Sequence, residues 1–318
     1  MAATDRIWVD NDDAANCYSR WDRPSVIISD GAYGLGSFPG EPESPTDLAR
    51  WYTPHLEAWD KYSTECTTLW FWNTELGWAI MHPTIESHGW EYVGLSIWNK
   101  GIAHIAGNCN TKTIRSFPTV TEVCAQYRRK VTIQGMTIQA WLRAEWKRSG
   151  LPFSKANEAC DVKNAASRKY LTSDNKWYFP PPEHMVKLAE YANKWGKPTE
   201  RPYFSLNGDS SVGYDEWGLM RNKFHCPIGV TNVWDEPAVR GTERVKVAGK
   251  VAHMNQKPLK VMKMLVEASS DPGDTVWEPF GGTCTATLAA KMLKRRGFAA
   301  EINPEFYAVA RQRLSEIG

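Results

Sequence analysis

A glycine-rich turn near the end of the chain, set between a short strand and a helix, constrains the fold more than any other feature. The segment reads Asp274-Thr-Val-Trp-Glu278-Pro-Phe-Gly-Gly-Thr-Cys-Thr-Ala286. Gly281 and Gly282 permit a positive φ and a close approach of the backbone to a ligand. The helix that follows begins with N–H groups that have no partner inside the helix. We therefore expect a strand, a turn and a helix that face a bound ligand.

An acidic residue marks the end of the next predicted strand. Glu301 follows Glu278 by 23 residues. A carboxylate about 20 residues beyond a glycine-rich turn suits hydrogen bonding to ribose hydroxyls. The spacing therefore predicts a nucleotide-like cofactor.

Short apolar strands alternate with amphipathic helices at both ends of the chain, which is typical of a mostly parallel α/β sheet. Strands are predicted at 25–29, 67–72, 92–98, 275–278 and 297–301, and helices at 45–62, 78–88, 256–269, 285–294 and 304–314. The middle is predicted to be mainly helical, at 137–148, 154–160, 164–171 and 182–195. We therefore expect two halves of one α/β domain, 1–130 and 228–318, and a helical insertion at 131–227.

The composition suits a soluble globular protein of 318 residues, 42% of them hydrophobic. No apolar run approaches the length of a membrane span, and residues 1–13 lack the layout of a signal peptide. The seven cysteines form no C-x-x-C pair, which favours reduced thiols over a zinc site or a disulfide framework. We expect a cytoplasmic protein without a metal or a membrane partner, associated with the nucleoid if it is bacterial.

Two segments of the C-terminal part resemble the DNA methyltransferases that methylate exocyclic amines. His253-Met-Asn-Gln-Lys-Pro258 is similar to the H-P-T-Q-K-P stretch of that family, and Glu278-Pro-Phe-Gly-Gly to its D-P-F-x-G-S-G-T turn. The matching residues at the turn and after the next strand are Glu278, Pro279, Phe280, Gly282, Thr283, Thr285 and Glu301.

The resemblance implies S-adenosylmethionine as the cofactor. Glu278 and the turn would hold its methionine and sugar portions, Phe280 would pack beside it, and Glu301 would bind its ribose. The residues implied to contact or enclose the cofactor are His253, Asn255, Gln256, Lys257, Glu278, Pro279, Phe280, Gly281, Gly282, Thr283, Thr285, Glu301, Ile302 and Asn303. Cys284 replaces the second turn glycine of the family, and a positive φ there would strain it.

The N-terminal half supplies the catalytic loop that the resemblance requires. Asp30-Gly31-Ala32-Tyr33 follows a predicted strand where the family has D-P-P-Y or S-P-P-Y. A carboxylate and a backbone carbonyl can accept hydrogen bonds from the two N–H groups of a conjugated amine and draw its nitrogen toward tetrahedral geometry. We assign these roles to Asp30 and the Gly31 carbonyl, and stacking on a flipped base to Tyr33.

The loop lacks both prolines, so Gly31-Ala32 is less rigid than the family's loop unless packing holds it. An aspartate at its first position favours adenine N6 as the target, and cytosine N4 stays open. Trp98-Asn99-Lys100 and Thr121-Glu122 also resemble the W-x-K and T/H-E segments of the family.

The order of the segments resembles the beta arrangement of these enzymes, and the resemblance covers 18–130 and 228–314. It implies a Rossmann-like mixed sheet of about seven strands, with the insertion as the target-recognition region. The partner would be duplex DNA, and a homodimer is compatible with the resemblance.

The middle of the chain is basic. Residues 128–176 hold 11 Lys and Arg against 4 Asp and Glu, which favours a surface that faces phosphates. Residues 154–171 are compatible with a helix-turn-helix. The candidate DNA contacts are Arg128, Arg129, Arg143, Lys147, Arg148, Lys163, Asn164, Ser167, Arg168 and Lys169.

The sequence therefore predicts a site-specific methyltransferase that acts on adenine N6 in duplex DNA by base flipping. Methylation of cytosine N4 is the nearest alternative. The Gly31-Ala32 and Cys284 departures also leave open an inactive DNA-binding protein on the same scaffold, and RNA is a further candidate substrate.

Overall fold

The computed structural model describes residues 6–105, 112–247, 249–251 and 255–316. The chain forms two compact units. The first combines Met1–Arg129 with Asn222–Gly318, and the second is Lys130–Arg221. In the described part of the chain, no helix is long and apolar enough to cross a membrane.

The elements, in chain order, have the following bounds. The strands are β1 (Ile7–Asp10), β2 (Val26–Ser29), β3 (Thr68–Asn73), β4 (Trp90–Asn99), β5 (Thr121–Arg129), β6 (Thr132–Ile133), β7 (Met136–Thr137), β8 (Val233–Asp235), β9 (Lys246–Val247), β10 (Lys250–Val251), β11 (Thr275–Glu278) and β12 (Arg296–Ala300). The α-helices are α1 (Leu48–Tyr62), α2 (Glu75–Ser87), α3 (Ile138–Arg148), α4 (Lys155–Ala159), α5 (Pro182–Trp195), α6 (Tyr214–Gly218), α7 (Leu259–Ser269), α8 (Thr285–Met292) and α9 (Pro304–Ser315).

The first unit is built on one eight-stranded sheet with the order β1-β12-β11-β2-β3-β5-β4-β8. Five of its seven strand pairs are parallel, and β5 is antiparallel to both of its neighbours. The predicted mostly parallel α/β sheet is confirmed, with eight strands instead of about seven. The two short edge strands, β1 and β8, were not predicted because three or four residues carry little periodic signal.

The centre of the sheet is apolar on both faces. All four residues of β2 and all six of β3 are buried, as expected where helices cover both sides of a parallel sheet. The helix α1 covers one face with Leu48, Tyr52 and Leu56, which follow helical spacing and are fully buried. This packing fixes β2 and β3. The catalytic loop extends from the carboxyl end of β2.

The second unit has its own apolar core, in which Trp141, Trp146, Phe204 and Trp217 are fully buried. The predicted helix at 137–148 is confirmed as α3, and the one at 182–195 as α5.

The proposed helix-turn-helix in the second unit is much shorter than expected. The first helix, α4, has five residues, and the second is a five-residue π-helical turn, Ala166–Tyr170. Asp161 does adopt the left-handed conformation of a turn residue, with φ +55°. However, Asn157 bonds both the amide and the hydroxyl of Ser167. These hydrogen bonds engage Ser167, whose side chain we expected to face DNA.

Candidate active site

The catalytic loop and the glycine-rich turn lie side by side. They follow β2 and β11, which are adjacent parallel strands. From this pair the chain passes through α1 to β3 in one direction and through α8 to β12 in the other. Open α/β sheets bind ligands at such a switch point, outside the carboxyl ends of the strands.

A pocket of about 640 Å³ occupies this crevice, and both Asp30 and Phe280 line it. Two loops about 250 residues apart in the chain, one containing Asp30 and one containing Phe280, thus meet at one pocket. A Cβ atom added to Gly31 would lie only 2.6 Å from the Phe280 ring and 2.7 Å from the Tyr52 hydroxyl. The two loops are therefore in close contact, and a side chain at position 31 would push them apart.

Packing and hydrogen bonds hold the catalytic loop in place of the missing prolines. The Ala32 carbonyl accepts hydrogen bonds from Tyr52 Oη over 3.2 Å and from Asn73 Nδ2 over 2.9 Å. The Glu41 carboxylate accepts from the amides of Tyr33 and Gly34 and from Ser37.

The Glu41 carboxylate lies beside the catalytic loop and is held in place by the donors that it accepts from. Its burial would raise its pKa, but the hydrogen bonds from Ser37 and the loop amides outweigh burial and lower it. The sequence gives no local sign of this role, because Glu41 follows the loop in an irregular segment.

Asp30 belongs to a buried cluster of charges. Its Oδ1 accepts hydrogen bonds from Tyr33 Oη over 2.9 Å and from Lys257 Nζ over 2.7 Å. Lys257 Nζ also lies 3.2 Å from Glu122 Oε2, and Lys100 pairs with the other oxygen of Glu122. Two carboxylates and two ammonium groups thus balance one another beside the pocket.

The cluster strongly perturbs its members. Burial alone would raise the pKa of Glu122, but the charges of Lys257 and Lys100 outweigh it and lower that pKa to about 2. Burial would lower the pKa of Lys257, yet the carboxylates of Asp30 and Glu122 raise it. Burial and the same two carboxylates raise the pKa of Tyr33. Glu122 therefore stays ionised, and Tyr33 keeps its proton, at neutral pH.

The two further segments that resemble the family, 98–100 and 121–122, contribute to this cluster. Lys100 and Glu122 come from the ends of β4 and β5, and Trp98 is buried with its ring 5.9 Å from Lys257 Nζ. Lys257, expected to enclose the cofactor, does line the pocket, but its ammonium group points to Asp30.

The glycine-rich turn is held mainly by backbone conformation. Gly282 and Cys284 both adopt left-handed conformations, each with φ 53°. Cys284 precedes α8 at the N-cap with ψ 50° and is fully buried. The expected strain at this cysteine is thus present, since a left-handed conformation costs a residue with a Cβ about 1 kcal/mol or more.

Glu301 braces the turn from the end of β12. Its Oε2 accepts the Gly282 amide over 2.6 Å, and its Oε1 accepts the Asn303 amide over 2.8 Å. Burial raises the pKa of this carboxyl. A carboxylate oxygen has two lone pairs, so Glu301, which lines the pocket, can still accept hydrogen bonds from a ligand.

Glu278 lines the pocket and also anchors the helix that follows the turn. Its Oε1 accepts the Ala286 amide, and its Oε2 accepts the amide and the hydroxyl of Thr287. Burial raises the pKa of Glu278 to about 7 in spite of these bonds. Both oxygens therefore anchor the start of α8, and the side chain shapes the turn.

The remaining predicted cofactor residues fall into three groups. Asn255, Pro279, Phe280, Gly281 and Ile302 line the pocket. Gln256, Thr283, Thr285 and Asn303 also line it, but each makes hydrogen bonds that support neighbouring segments. His253 lies outside the described residues.

His55 is one of several pocket-lining residues that the sequence reasoning missed, together with Asp12, Asp13, Phe38 and Trp51. His55 is buried on α1 and lines the pocket, with its ring 4.9 Å from that of Phe280. Trp59 Nε1 donates to Tyr18 Oη, which lies 2.9 Å from His55 Nδ1. Burial lowers the pKa of His55 to about 4, so the ring is neutral at physiological pH. Its place on the apolar stripe of α1 made it indistinguishable from a core residue.

The structure places two of the predicted DNA contacts, Arg128 and Arg129, away from the catalytic loop. They end β5, which runs antiparallel, and Arg128 lies opposite Thr68 at the start of β3. The catalytic loop is near the other end of β3, roughly 17 Å away at 3.3 Å per residue. Arg128 makes a bidentate pair with Glu91, and Arg129 pairs with Asp60.

The predicted DNA contacts of the second unit divide into two groups. Arg143 donates to the Leu171 carbonyl and lies over the Phe153 ring. Arg148 pairs with the buried Glu145 and donates to two carbonyls. These two arginines support their own unit. The side chains left at the surface are Lys147, Lys163, Asn164, Arg168 and Lys169.

Comparison with known proteins agrees with this geometry. Residues 24–312 match the model of a family described as DNA methylase. A stretch of 87 residues is 39% identical to the type II methyltransferase M.HinfI of Haemophilus influenzae, covering 27% of this chain and 24% of that protein. The chain spans between about a quarter and about half of the length of the first curated relatives that it matches.

Solved structures show the fold. The M1.HpyAVI complex with S-adenosylmethionine has a TM-score of 0.54 at 15% identity and covers 97% of this chain and 98% of that chain. The cytosine-N4-specific PvuII DNA methyltransferase has a TM-score of 0.54 at 12% identity, covering 97% and 90%. The sheet described above is thus the fold of S-adenosylmethionine-dependent methyltransferases.

Proposed function

This chain belongs to the DNA methylase family of N6 and N4 enzymes, and from that premise we propose that it transfers a methyl group from S-adenosylmethionine to adenine N6 in duplex DNA. The observation that carries the proposal is the meeting of Asp30 with the glycine-rich turn at one pocket. An acceptor for an amine and a turn suited to a nucleoside cofactor then face the same space.

The donor groups of the pocket suit this cofactor. Five carboxyl groups line the pocket, from Asp12, Asp13, Asp30, Glu278 and Glu301, and Lys257 is the single lysine or arginine among its described lining residues. Such a balance favours a cation, and the cofactor carries a sulfonium. Glu301 would bind the ribose hydroxyls, as its free lone pairs allow. Phe280 and Ile302 offer apolar surface for its uncharged parts.

The residues of the chain act on the amine. The cofactor supplies an electrophilic methyl group on sulfur. Asp30 and the Gly31 carbonyl accept the two N–H bonds, which turns the nitrogen lone pair toward that methyl group. With the cofactor bound, the N–CH₃ bond would form from the lone pair, the S–CH₃ electron pair would stay with sulfur, and one N–H proton would leave to solvent. Positioning accounts for much of the rate, and no covalent cysteine is involved.

Tyr33 is proposed to stack on the flipped base. Its hydroxyl is fixed by Asp30 and Glu122, and Lys257 lies over one face of the ring at 5.4 Å from its centroid. The ring is partly exposed, and a flipped base would stack on its accessible surface. Stacking worth about 1–3 kcal/mol offsets part of the cost of flipping.

The second unit is proposed to help read the target. Lys147, Lys163, Asn164, Arg168 and Lys169 are its exposed candidates. Lysine and arginine at a surface contact phosphates, while arginine and asparagine can also read base edges.

The decisive experiment incubates the purified chain with duplex DNA and S-adenosylmethionine labelled on the methyl group, then digests the DNA to nucleosides. We expect label in N6-methyl-2′-deoxyadenosine. Label in N4-methyl-2′-deoxycytidine would replace the target base while keeping the reaction. Label that enters RNA in preference to duplex DNA would change the substrate class. Absence of both labelling and cofactor binding would favour an inactive DNA-binding protein.

A further inference from the structure

We propose that Lys257 is a positioning residue for methyl transfer, which holds Asp30 through Oδ1 so that Oδ2 takes the hydrogen bond from the target amine. This inference rests on the proposed function and assigns a further residue to it. It differs from the sequence expectation, which placed Lys257 among the residues that contact or enclose the cofactor.

The contact between Lys257 and Asp30 is direct and sheltered. Nζ lies 2.7 Å from Asp30 Oδ1, and only 3% of the Lys257 side chain is exposed. The Asp30 side chain remains 22% exposed and lines the pocket. An ion pair with one buried member and one member at the pocket wall can set the orientation of the exposed member.

The two oxygens of Asp30 are not equivalent. Oδ1 accepts from both Lys257 and Tyr33, while no described residue donates to Oδ2. A carboxylate oxygen that already accepts two hydrogen bonds has used both lone pairs. The incoming amine therefore finds Oδ2 as its acceptor, and the carboxylate cannot rotate without breaking two bonds.

Lys257 is itself held on several sides. Glu122 Oε2 lies 3.2 Å from Nζ, and Tyr33 Oη lies 3.1 Å away. The rings of Trp72 and Trp98 approach Nζ at 5.2 and 5.9 Å. An ammonium group enclosed by indole faces and anions has little freedom, so its position defines that of Asp30.

The charges that surround Lys257 determine how the cluster responds to pH. Asp30 and Tyr33 face it from the loop after β2, Glu122 and Cys124 from β5, and Lys100 pairs with Glu122 from the end of β4. Removing the cation should make the remaining carboxylates bind a proton more readily. Removing the Glu122 charge should have the opposite effect on Asp30.

The test compares Lys257→Met, which keeps the apolar stem of the side chain without its ammonium group, with wild type and with Lys260→Met. Lys260 lies three residues later in the first turn of α7, its side chain is 78% exposed, and it pairs with Glu236. We expect Lys257→Met to lower kcat about 100-fold or more, as for loss of one preorganised polar partner. We expect its Kd for S-adenosylmethionine to stay within about threefold, and Lys260→Met to match wild type.

The pH dependence of kcat distinguishes positioning from a merely structural role. The acid limb should move to higher pH in Lys257→Met and to lower pH in Glu122→Gln. Glu122→Gln, which keeps the shape of the side chain and its link to Lys257, should reduce kcat less than tenfold. Glu122→Gln also tests the proposal if Lys257→Met fails to fold. The direction in which the acid limb of Glu122→Gln moves is then compared with that of wild type alone.

Several outcomes would overturn the inference. One is a Lys257→Met protein whose kcat and pH profile equal those of wild type. Another is a variant in which the Kd for S-adenosylmethionine rises while kcat is kept, because Lys257 would then be a cofactor ligand. A Glu122→Gln profile shifted to higher pH would also contradict it. If wild type itself methylates no nucleic acid, the proposed function fails and this inference fails with it.

Discussion

The two loops at the pocket are held in different ways. The catalytic loop is fixed by side chains from distant parts of the chain, namely Glu41, Tyr52, Asn73 and Lys257. The glycine-rich turn is fixed by left-handed backbone conformations and by carboxylates that accept its own amides. One loop depends on charge and long-range contact, the other on local conformation. Substitutions in the first should therefore affect the rate, and substitutions in the second should affect cofactor affinity or stability.

The largest effect should come from Asp30→Asn. The amide keeps the shape of the side chain, but it replaces an anionic acceptor of the target amine and weakens the pair with Lys257. We expect kcat to fall at least about 1000-fold, while the Kd for S-adenosylmethionine stays within a few-fold. Transfer assays and calorimetric titration measure the two quantities. A variant with near-normal turnover would remove Asp30 from the mechanism.

Gly31→Ala should displace the catalytic loop and the glycine-rich turn from each other and so lower kcat. The new methyl group would lie 2.6 Å from the Phe280 ring, and a displacement of about 1 Å near reacting groups costs about 100-fold in rate. Gly94→Ala is the control, because a Cβ there meets no atom within 4 Å.

A second substitution tests the cause of that defect. We expect Phe280→Leu in the Gly31→Ala background to restore part of the lost kcat, by relieving the overlap. The two positions act independently if the fold-reduction of kcat in the double variant equals the product of the fold-reductions in the two single variants. In that case the close contact between the loops does not affect the rate.

Glu301→Ala should act on affinity. It removes the acceptor of the Gly282 amide and the expected ribose contact, and a hydrogen bond to a charged group contributes about 1.5–3 kcal/mol. We expect the Kd for S-adenosylmethionine to rise roughly 10- to 100-fold, with kcat at saturation changed much less. Glu305→Ala, an exposed position in the next helix, serves as the matched control. An unchanged Kd would count against the ribose contact.

The smallest effect is expected from Cys284→Gly. Glycine relieves a left-handed conformation that costs about 1 kcal/mol. It also removes a buried side chain, whose burial contributes a similar free energy to stability. We expect the free energy of unfolding to stay within about 1 kcal/mol of wild type. Lys294→Gly separates the two contributions, because Lys294 is exposed with φ 60° and should gain stability. Denaturant titration of both variants measures the difference, and a large loss in Lys294→Gly would contradict the argument from strain.

The sequence predicted the local features well and the long-range ones poorly. The strand 275–278 and the start of α8 at Thr285 are confirmed to the residue, because turn glycines and apolar periodicity act within a few positions. The ion pair between Asp30 and Lys257 joins residues 227 positions apart. No periodicity encodes such a partner, although the segment containing Lys257 had been identified by resemblance.

The prediction of DNA contacts from the count of basic residues has a similar limit. A charge count cannot distinguish an arginine that faces solvent from one that satisfies a buried acid, as Arg148 does with Glu145. It also cannot show that β5 reverses direction and takes Arg128 to the far edge of the sheet. That reversal depends on strand pairing, which is a property of the whole sheet.

The adjacency of β2 and β11 has a consequence for how the protein is made. During synthesis, residues 26–29 leave the ribosome about 250 residues before their neighbour at 275–278. Until then the central strand has one open edge, and pairings between distant segments form slowly because a long loop must close first. The nascent chain therefore has no complete pocket until residues 275–306 have emerged, and its exposed strand edge is a place where a chaperone or another nascent chain can bind.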